Sequence, residues 1–191
     1  MCIGDRAGPG GWEIDLDVPL GDLPLRGPFR VVAEGDALAL LHDVGMAAVP
    51  ASVELDSSGP LATPAHTMIA AHPREGAQMV ATALPAEVAD WVRGHHERWD
   101  GLGYPFNLKG EDIPMGARFF AVIDSFDAMT SIRPYRREIG ADAAERALQE
   151  IEVGAGTRYA PEASAVFVEL FRTGKLDHIL HYFNDVSPVP R

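Results

Sequence analysis

The chain has 191 residues, of which 47% are hydrophobic, and it carries 16 basic and 28 acidic side chains for a formal net charge of −12. Its length and composition fit a single domain with a well-buried core. The excess of acidic side chains argues against binding to the phosphate backbone of DNA or RNA, because such binding needs a basic surface. The acidic composition does not exclude binding of a small anionic ligand, because bound metals can dominate the local charge of a site.

Cysteine usage and the hydrophobic pattern point to a reducing, aqueous compartment. Cys2 is the only cysteine, so the chain cannot form an internal disulfide. The first residues, MCIGDRAGPGGW, have neither the basic start nor the apolar run of a secretory signal. No stretch approaches the roughly 18 consecutive apolar residues that a membrane span needs. We therefore expect a cytoplasmic protein that does not contact a membrane.

The N-terminal third predicts an irregular arm followed by helices. Residues 1–33 are rich in Gly, Pro and Asp and predict an arm with one short strand near Trp12 to Val18. From Glu34, the run GDALALLHDVGM has apolar residues at helical spacing, with Gly45 as the expected helix stop. Thr63 and Pro64 predict the start of the next helix, and Pro73 predicts a kink or break within it.

The rest of the chain also shows helical patterns, and no strand alternation appears after residue 30. One helix is expected over residues 85–98, and Pro114 should open another through IPMGARFFAVIDSFDAMTS, with a loop over residues 101–110 between them. Further helices are predicted near 141–153, 162–173 and 175–184. The sequence therefore predicts an all-α helical bundle over residues 34–185, preceded by the arm over residues 1–33 and followed by a tail over 186–191.

Histidines and carboxylates in a specific order predict a metal site. The segment HHERWDGLGYP places His95 and His96 side by side, which is costly to bury unless a metal shares the site. A single helical histidine is more often a surface residue or a hydrogen-bonded core residue than a metal ligand. Here, however, the rest of the chain supplies further candidate ligands in a specific order, with His42 and Asp43 first, then His72, and Asp124 after the histidine pair. Neighbours on a helix point about 100° apart, so one can bind one metal while the other reaches between two. The candidate ligands are His42, Asp43, His72, His95, His96 and Asp124.

The remaining histidines and a nearby aspartate lack this context. His66, His178 and His181 are predicted not to be ligands, and Asp127 is predicted to be a cap or an ion-pair partner. Two ions about 3.5–4 Å apart could hold a shared hydroxide and clamp a phosphoryl oxygen. The pattern is therefore compatible with chemistry at a phosphoryl group.

Four segments resemble the HD-GYP family, a branch of the HD phosphohydrolase superfamily. HHERWDGLGYP is similar to the family signature, and ARFFAVIDSFDAMTSIRPYR to its second signature. MIAAHPREG resembles the segment around the middle metal-binding histidine, and GTRYAPEASAVFVEL the entry to the C-terminal helix. The resemblance covers roughly residues 34–175 and implies an HD-domain-like helical bundle.

The resemblance implies a reaction and a role for each site residue. Active members cleave the bacterial second messenger cyclic di-GMP with two divalent transition metals, foremost Fe or Mn, with Co, Ni or Zn as further options. Asp43 would be the catalytic residue that bridges the metals, with His72, His95 and His96 completing one metal site. His42 and Asp124 would belong to the other. The implied substrate-binding residues are Gly103, Tyr104, Pro105, Arg133 and Arg136, the arginines matching phosphate oxygens with their planar forks.

The chain departs from the family pattern at two places. Met46 stands where the family usually has a lysine, and a methionine cannot stabilise developing negative charge. No histidine precedes His42, so the site formed by His42, Asp43 and Asp124 lacks a protein ligand that the family usually supplies. The family helix that would carry this histidine is also a packing element. Its place could be covered by the arm, by a partner chain as in a homodimer, or by an upstream domain.

These departures leave three functions open. The first is a metal-dependent cyclic di-GMP phosphodiesterase. The second is a catalytically weak or inactive module that binds cyclic di-GMP or a GGDEF-domain protein as a signalling regulator. The third is hydrolysis of a related cyclic dinucleotide, because a fold alone does not select the substrate.

Overall fold

The computed structural model describes residues 37–50, 63–131, 140 and 142–177. It forms a bundle of helices, and within these residues no strand occurs, the one isolated bridge joining Ala155 to Tyr159. This confirms the all-α prediction. The arm over residues 1–33, its predicted strand and the C-terminal tail lie outside the described residues. None of the helices in the described part is both long and apolar enough to cross a membrane.

The helical elements follow one another with short connections. Residues 37–41 are helical, and a 3-10 helix follows at Val44–Ala48. The α-helices are α1 (Thr63–Ile69), α2 (His72–Val80), α3 (Ala86–Gly94), α4 (Met115–Thr130), α5 (Ala143–Gly154) and α6 (Pro161–Arg172), with a short 3-10 helix at Gly110–Asp112 before α4. Residues 173–176 form a turn, and most of the helix predicted over 175–184 falls outside the described residues.

Two predicted helix ends are wrong. The first helix ends at residue 41, so His42 and Asp43 lie in a turn before Gly45. The chain leaves the helix there because the backbone at Gly45 packs directly against α2, where an added Cβ would lie 2.0 Å from the carbonyl oxygen of His72. Helix α3 ends at Gly94 instead of residue 98, and His95 and His96 follow it in a turn.

The break near Pro73 is confirmed. Helix α1 ends at Ile69, and α2 begins at His72 with Pro73 in its first turn. Proline suits this position, because its missing N–H would have no partner within the helix there. The break leaves His72 at the junction of two helices.

Within the part of the chain that the structure describes, two apolar clusters share α4. One cluster packs α4 against α5 and α6, with Val122 and Phe126 meeting residues such as Ile151. The other packs α2 and α3 against the first helical segment and includes Leu38, Trp91 and Phe120. Burial of these side chains removes apolar surface from water, which is the main favourable contribution to folding. Helix α4 therefore contributes to both apolar clusters, and its Phe120 contacts the rings of His42 and His95.

Candidate metal centre

Four of the six candidate ligands come together closely. The ligand atoms of Asp43, His72, His95 and His96 all lie within 4.8 Å of one another. Nε2 of His72 lies 3.1 Å from Oδ1 of Asp43, and Nε2 of His95 lies 3.8 Å from the same oxygen. The rings of His72 and His95 are buried, whereas the side chain of Asp43 is 58% exposed. The cluster is therefore closed behind the histidines and open at the carboxylate.

Backbone carbonyls fix the orientation of three histidine rings. Nδ1 of His42 donates to the carbonyl of Ala39 at 3.0 Å, and Nδ1 of His72 to that of Ile69 at 2.7 Å. Nδ1 of His95 donates to the carbonyl of Val92 at 2.7 Å. Because a carbonyl oxygen can only accept, each Nδ1 carries the proton and each Nε2 presents its lone pair. Neutral imidazoles held in this way are prepared to bind a metal.

The donor atoms fit a divalent metal ion. Nε2 of His72 and Nε2 of His95 are 3.3 Å apart, with Oδ1 of Asp43 beside them. With both Nδ1 atoms protonated, three acceptor atoms converge without a hydrogen between them, which is unfavourable unless a cation lies among them. Imidazole nitrogen with carboxylate oxygen suits first-row transition metals.

The protonation states of the cluster agree with metal binding. The adjacent imidazoles of His42, His72 and His95, foremost that of His42, hold the pKa of the Asp43 carboxyl far below its usual range. Burial, and then the neighbouring imidazole of His95, lowers the pKa of His96 to about 3. For His42, burial lowers the pKa, but the hydrogen bond and charge of Asp43 outweigh it, and the net pKa is raised. Asp43 is thus an anion and His96 a neutral ring near pH 7.

His42 and Asp124 lie on the other side of the Asp43 carboxylate. Nε2 of His42 is 3.5 Å from Oδ2 of Asp43 and 4.0 Å from Oδ1 of Asp124. The two carboxylate oxygens of Asp43 therefore face different sets of residues. This arrangement does not come from adjacent positions on a helix, as the sequence suggested, because both the 42–43 and the 95–96 pairs lie in turns.

The loop that follows the two histidines covers one side of the cluster. The ring of Tyr104 stacks on the ring of His96, with centroids 4.8 Å apart and planes at 33°. Burial, and then the charges of Asp43 and Asp124, raises the pKa of Tyr104 to about 12, so its phenol stays protonated. Gly103 is buried against the backbone of residues 97–98, and Pro105 is half-buried beside it.

Other predicted residues lie away from the cluster or outside the described part. Arg133, Arg136, His178 and His181 are outside the described residues. The exposed ring of His66 lies edge-on to Tyr104, with centroids 6.4 Å apart. Asp127 accepts a hydrogen bond from the hydroxyl of Ser131 at 2.7 Å, at the end of α4.

The sequence did not indicate two residues that support the cluster. The ring of Phe120 packs on His42 at a centroid distance of 4.9 Å and on His95 at 6.3 Å. Glu97 is buried and accepts hydrogen bonds from the loop backbone, and burial raises its pKa despite these bonds. Phe120 is one of many apolar residues in α4, so only its tertiary position distinguishes it. Glu97 stands next to the histidine pair, and this adjacency was the only signal in the sequence.

Comparisons with known proteins identify the family of the chain. The family model described as HD domain matches residues 33–163, more than half of the chain. A cyclic di-GMP phosphodiesterase of Pseudomonas aeruginosa is 42% identical over 125 residues, covering 64% of this chain and 30% of that protein. A cyclic di-GMP phosphodiesterase of Vibrio cholerae is 37% identical over 157 residues, covering 78% of this chain and 31% of that protein. The match thus spans less than a third of the length of these two relatives.

A solved structure shares the fold. The crystal structure of a cyclic GMP-AMP specific phosphodiesterase of V. cholerae matches with a TM-score of 0.55 at 19% identity. The match covers 81% of this chain and 43% of that one. The HD-domain-like bundle predicted from the sequence is therefore confirmed.

Proposed function

Because the chain belongs to the HD domain family, as its HD-GYP-like motifs predicted, we propose that it is a metal-dependent phosphodiesterase that hydrolyses cyclic di-GMP. An HD domain implies binding of a divalent metal. The observation that carries the proposal is the convergence of Asp43, His72, His95 and His96 within 4.8 Å, open to solvent at Asp43. Relatives named as cyclic di-GMP phosphodiesterases support the substrate.

We assign the metal ligands to two sites that share Asp43. His72, His95 and His96 would hold one ion with Oδ1 of Asp43, and His42 and Asp124 would hold a second with Oδ2. Iron or manganese is the foremost candidate, and cobalt, nickel or zinc also suits imidazole-rich ligands. When bound, such ions generate a nucleophile from water at neutral pH and stabilise charge on a phosphoryl group.

The residues of the chain bind and orient the substrate in this proposal. Asp43 stays ionised because its pKa is strongly lowered, and it can therefore bridge two cations. Tyr104 keeps its phenolic proton and can donate it to a ribose or guanine acceptor, while Gly103 and Pro105 shape the loop beside it. Arg133 and Arg136 are proposed to bind the phosphates as bidentate donors.

The test is turnover of cyclic di-GMP by purified protein loaded with manganese or iron. We expect linear dinucleotide as product, together with metal retained through gel filtration and detected by elemental analysis. His95→Asn removes a buried ligand, and His66→Asn serves as the matched control because His66 lies outside the metal-binding cluster. Absence of turnover with every candidate metal would overturn the enzymatic proposal.

A regulatory function is the second candidate, and Met46 favours it. Methionine carries no charge, so position 46 does not supply a cation that could stabilise a transition state. In this alternative the chain binds cyclic di-GMP, or a GGDEF-domain protein, with little or no turnover. Calorimetry with cyclic di-GMP, run beside the turnover assay, separates the two, and the same assays with 3′,3′-cyclic GMP-AMP test the related substrate. Gel filtration with light scattering tests the homodimer.

A further inference from the structure

The buried carboxylate of Glu97 lies beside the metal-binding cluster without belonging to it. Glu97 is 4% exposed and directly follows His96. Its Oε1 accepts the backbone N–H of Phe106 at 2.7 Å, and its Oε2 accepts the backbone N–H of Leu108 at 3.0 Å. Both oxygens are thus engaged with a loop 9 to 11 residues further along the chain.

These bonds close the loop over residues 103–108 onto the histidine pair. The backbone N–H of Tyr104 donates to the carbonyl of His96 at 3.2 Å. Gly103 packs so closely that an added Cβ would lie 2.6 Å from Cα of Glu97. The side chain of Asn107 donates to the carbonyl of Gly103, which tightens the same turn. The result is the stacking of Tyr104 on His96 at 4.8 Å.

We propose that Glu97 is a positioning residue that fixes the 103–108 loop so that the ring of Tyr104 stays stacked on His96. Glu97 acts through Tyr104 and touches neither metal nor substrate. The part of the proposal that concerns ligand affinity rests on the proposed function. The part that concerns the loop and the His96 ring does not.

A carboxylate is needed because two N–H donors must each find an acceptor. In Glu97→Gln only one side-chain oxygen accepts, and the amide NH₂ group faces a second donor. One buried backbone N–H then loses its partner, and the loop opens to recover a bond with water. Glu152→Gln is the matched control, because its carboxylate accepts from Arg172 at 2.6 Å on α5 and α6, away from this loop.

The first experiment follows the loop by nuclear magnetic resonance in the full chain. In Glu97→Gln, we expect amide exchange at Phe106 and Leu108 to rise by about tenfold or more, the equivalent of one lost hydrogen bond, with α4 to α6 unaffected. The His96 ring resonances should move as they do in Tyr104→Ala, because both variants remove the stacked ring. Glu152→Gln should leave both signals unchanged.

Two results would overturn the proposal in this experiment. One is a folded Glu97→Gln in which the His96 resonances stay at their wild-type positions. The other is faster exchange throughout the protein, which would give Glu97 a general structural role. If Glu97→Gln does not fold, the same measurements are made on Glu97→Asp, which keeps two acceptor oxygens on a shorter side chain. The same two results would then overturn the proposal.

The second experiment is a double-mutant cycle in affinity for cyclic di-GMP, measured by calorimetry. Glu97→Gln and Tyr104→Ala should each weaken binding by about tenfold. Because Glu97 acts through Tyr104, the double variant should bind no more weakly than Tyr104→Ala alone. Additive losses would show that Glu97 acts by another route. A wild-type protein that binds no cyclic dinucleotide would instead refute the proposed function, with the resonance experiment still deciding the role of Glu97.

Discussion

The close approach of Gly45 to α2 gives a sharp test of how the candidate metal-binding cluster is assembled. An added Cβ at Gly45 would lie 2.0 Å from the carbonyl oxygen of His72 and 2.5 Å from the backbone nitrogen of Gly76. Both atoms belong to the backbone, so no side-chain rotation can relieve the contact. In Gly45→Ala, the turn that carries His42 and Asp43 must therefore move away from α2.

The size of this movement determines how much stability Gly45→Ala should lose. To reach 3.0 Å, below which such contacts essentially never occur, the Cβ and the His72 oxygen must separate by about 1 Å. A core that is overpacked in this way loses about 1–3 kcal/mol, and we expect the upper end because both neighbours are backbone atoms. For a domain of this size, a loss of about 3 kcal/mol lowers the Tm by roughly 6–12 °C.

The same movement should affect the chemistry more than the stability. It would stretch the 3.1 Å distance between Oδ1 of Asp43 and Nε2 of His72, so that one metal could no longer contact both well. A displacement of about 1 Å in a catalytic group can cost about 10²-fold in rate. We expect a loss of that size in kcat/KM, accompanied by weaker metal binding.

Thermal unfolding, metal titration and turnover of cyclic di-GMP check this prediction together. Gly156→Ala is the control, because Gly156 has a φ of 77° and no atom within 4 Å of an added Cβ. It should lose about 1 kcal/mol from backbone strain alone and keep its metal affinity. If Gly45→Ala keeps the wild-type Tm and metal affinity, the turn at His42 and Asp43 does not lie against α2, and close packing at Gly45 does not hold the cluster together.

Three further predictions follow from the cluster and its surroundings. Added metal at about a hundredfold excess over its Kd should stabilise the protein by about 2.7 kcal/mol. This appears as a rise in Tm that a chelator reverses. His95→Asn should abolish the rise in Tm, and His66→Asn should retain it. Tyr104, whose pKa is raised to about 12 from an ordinary 10.0, should stay protonated through pH 10, and its contribution to stability should be lost as the pH rises through 12. Difference absorbance titration against Tyr104→Phe measures this, and ionisation of Tyr104 near pH 10 would contradict it. Met46→Lys should raise turnover by about 10- to 100-fold, whereas Met46→Gln should not; equal activities would mean that the missing cation does not limit the reaction.

The sequence predicts the helices well and their ends poorly. Helices α5 and α6 lie where the apolar spacing predicted them, because that spacing reflects the face each helix buries against α4. The ends at residue 41 and at Gly94 were missed, because contacts with distant residues determine them. Gly45 meets α2 across the fold, and Gly94 packs against Pro114 and Ala117, where an added Cβ would lie 3.3 Å from each.

The candidate site was predictable as a set of residues but not as a set of atoms. The order of histidines and carboxylates predicted a set of ligand side chains, and the structure brings Asp43, His72, His95 and His96 of that set together. Which nitrogen faces the cluster depends on hydrogen bonds to carbonyls, and no sequence pattern states these. The role inferred for Glu97 was equally hidden, because its partners are backbone N–H groups in a loop without periodicity.

Three helix ends, two of which were missed from the sequence, explain why the cluster suits a cation. His42 follows the helical residues 37–41, His72 follows α1, and His95 follows α3. Each ring donates to a carbonyl three residues earlier, in the last turn of the preceding helix, where carbonyls lack a partner within the helix. Three helix C-terminal ends therefore meet at the cluster, and their partial negative charges favour a bound cation. The same carbonyls turn each Nε2 towards the place where a metal would bind. These helix ends would therefore both orient the ligands and stabilise a bound cation.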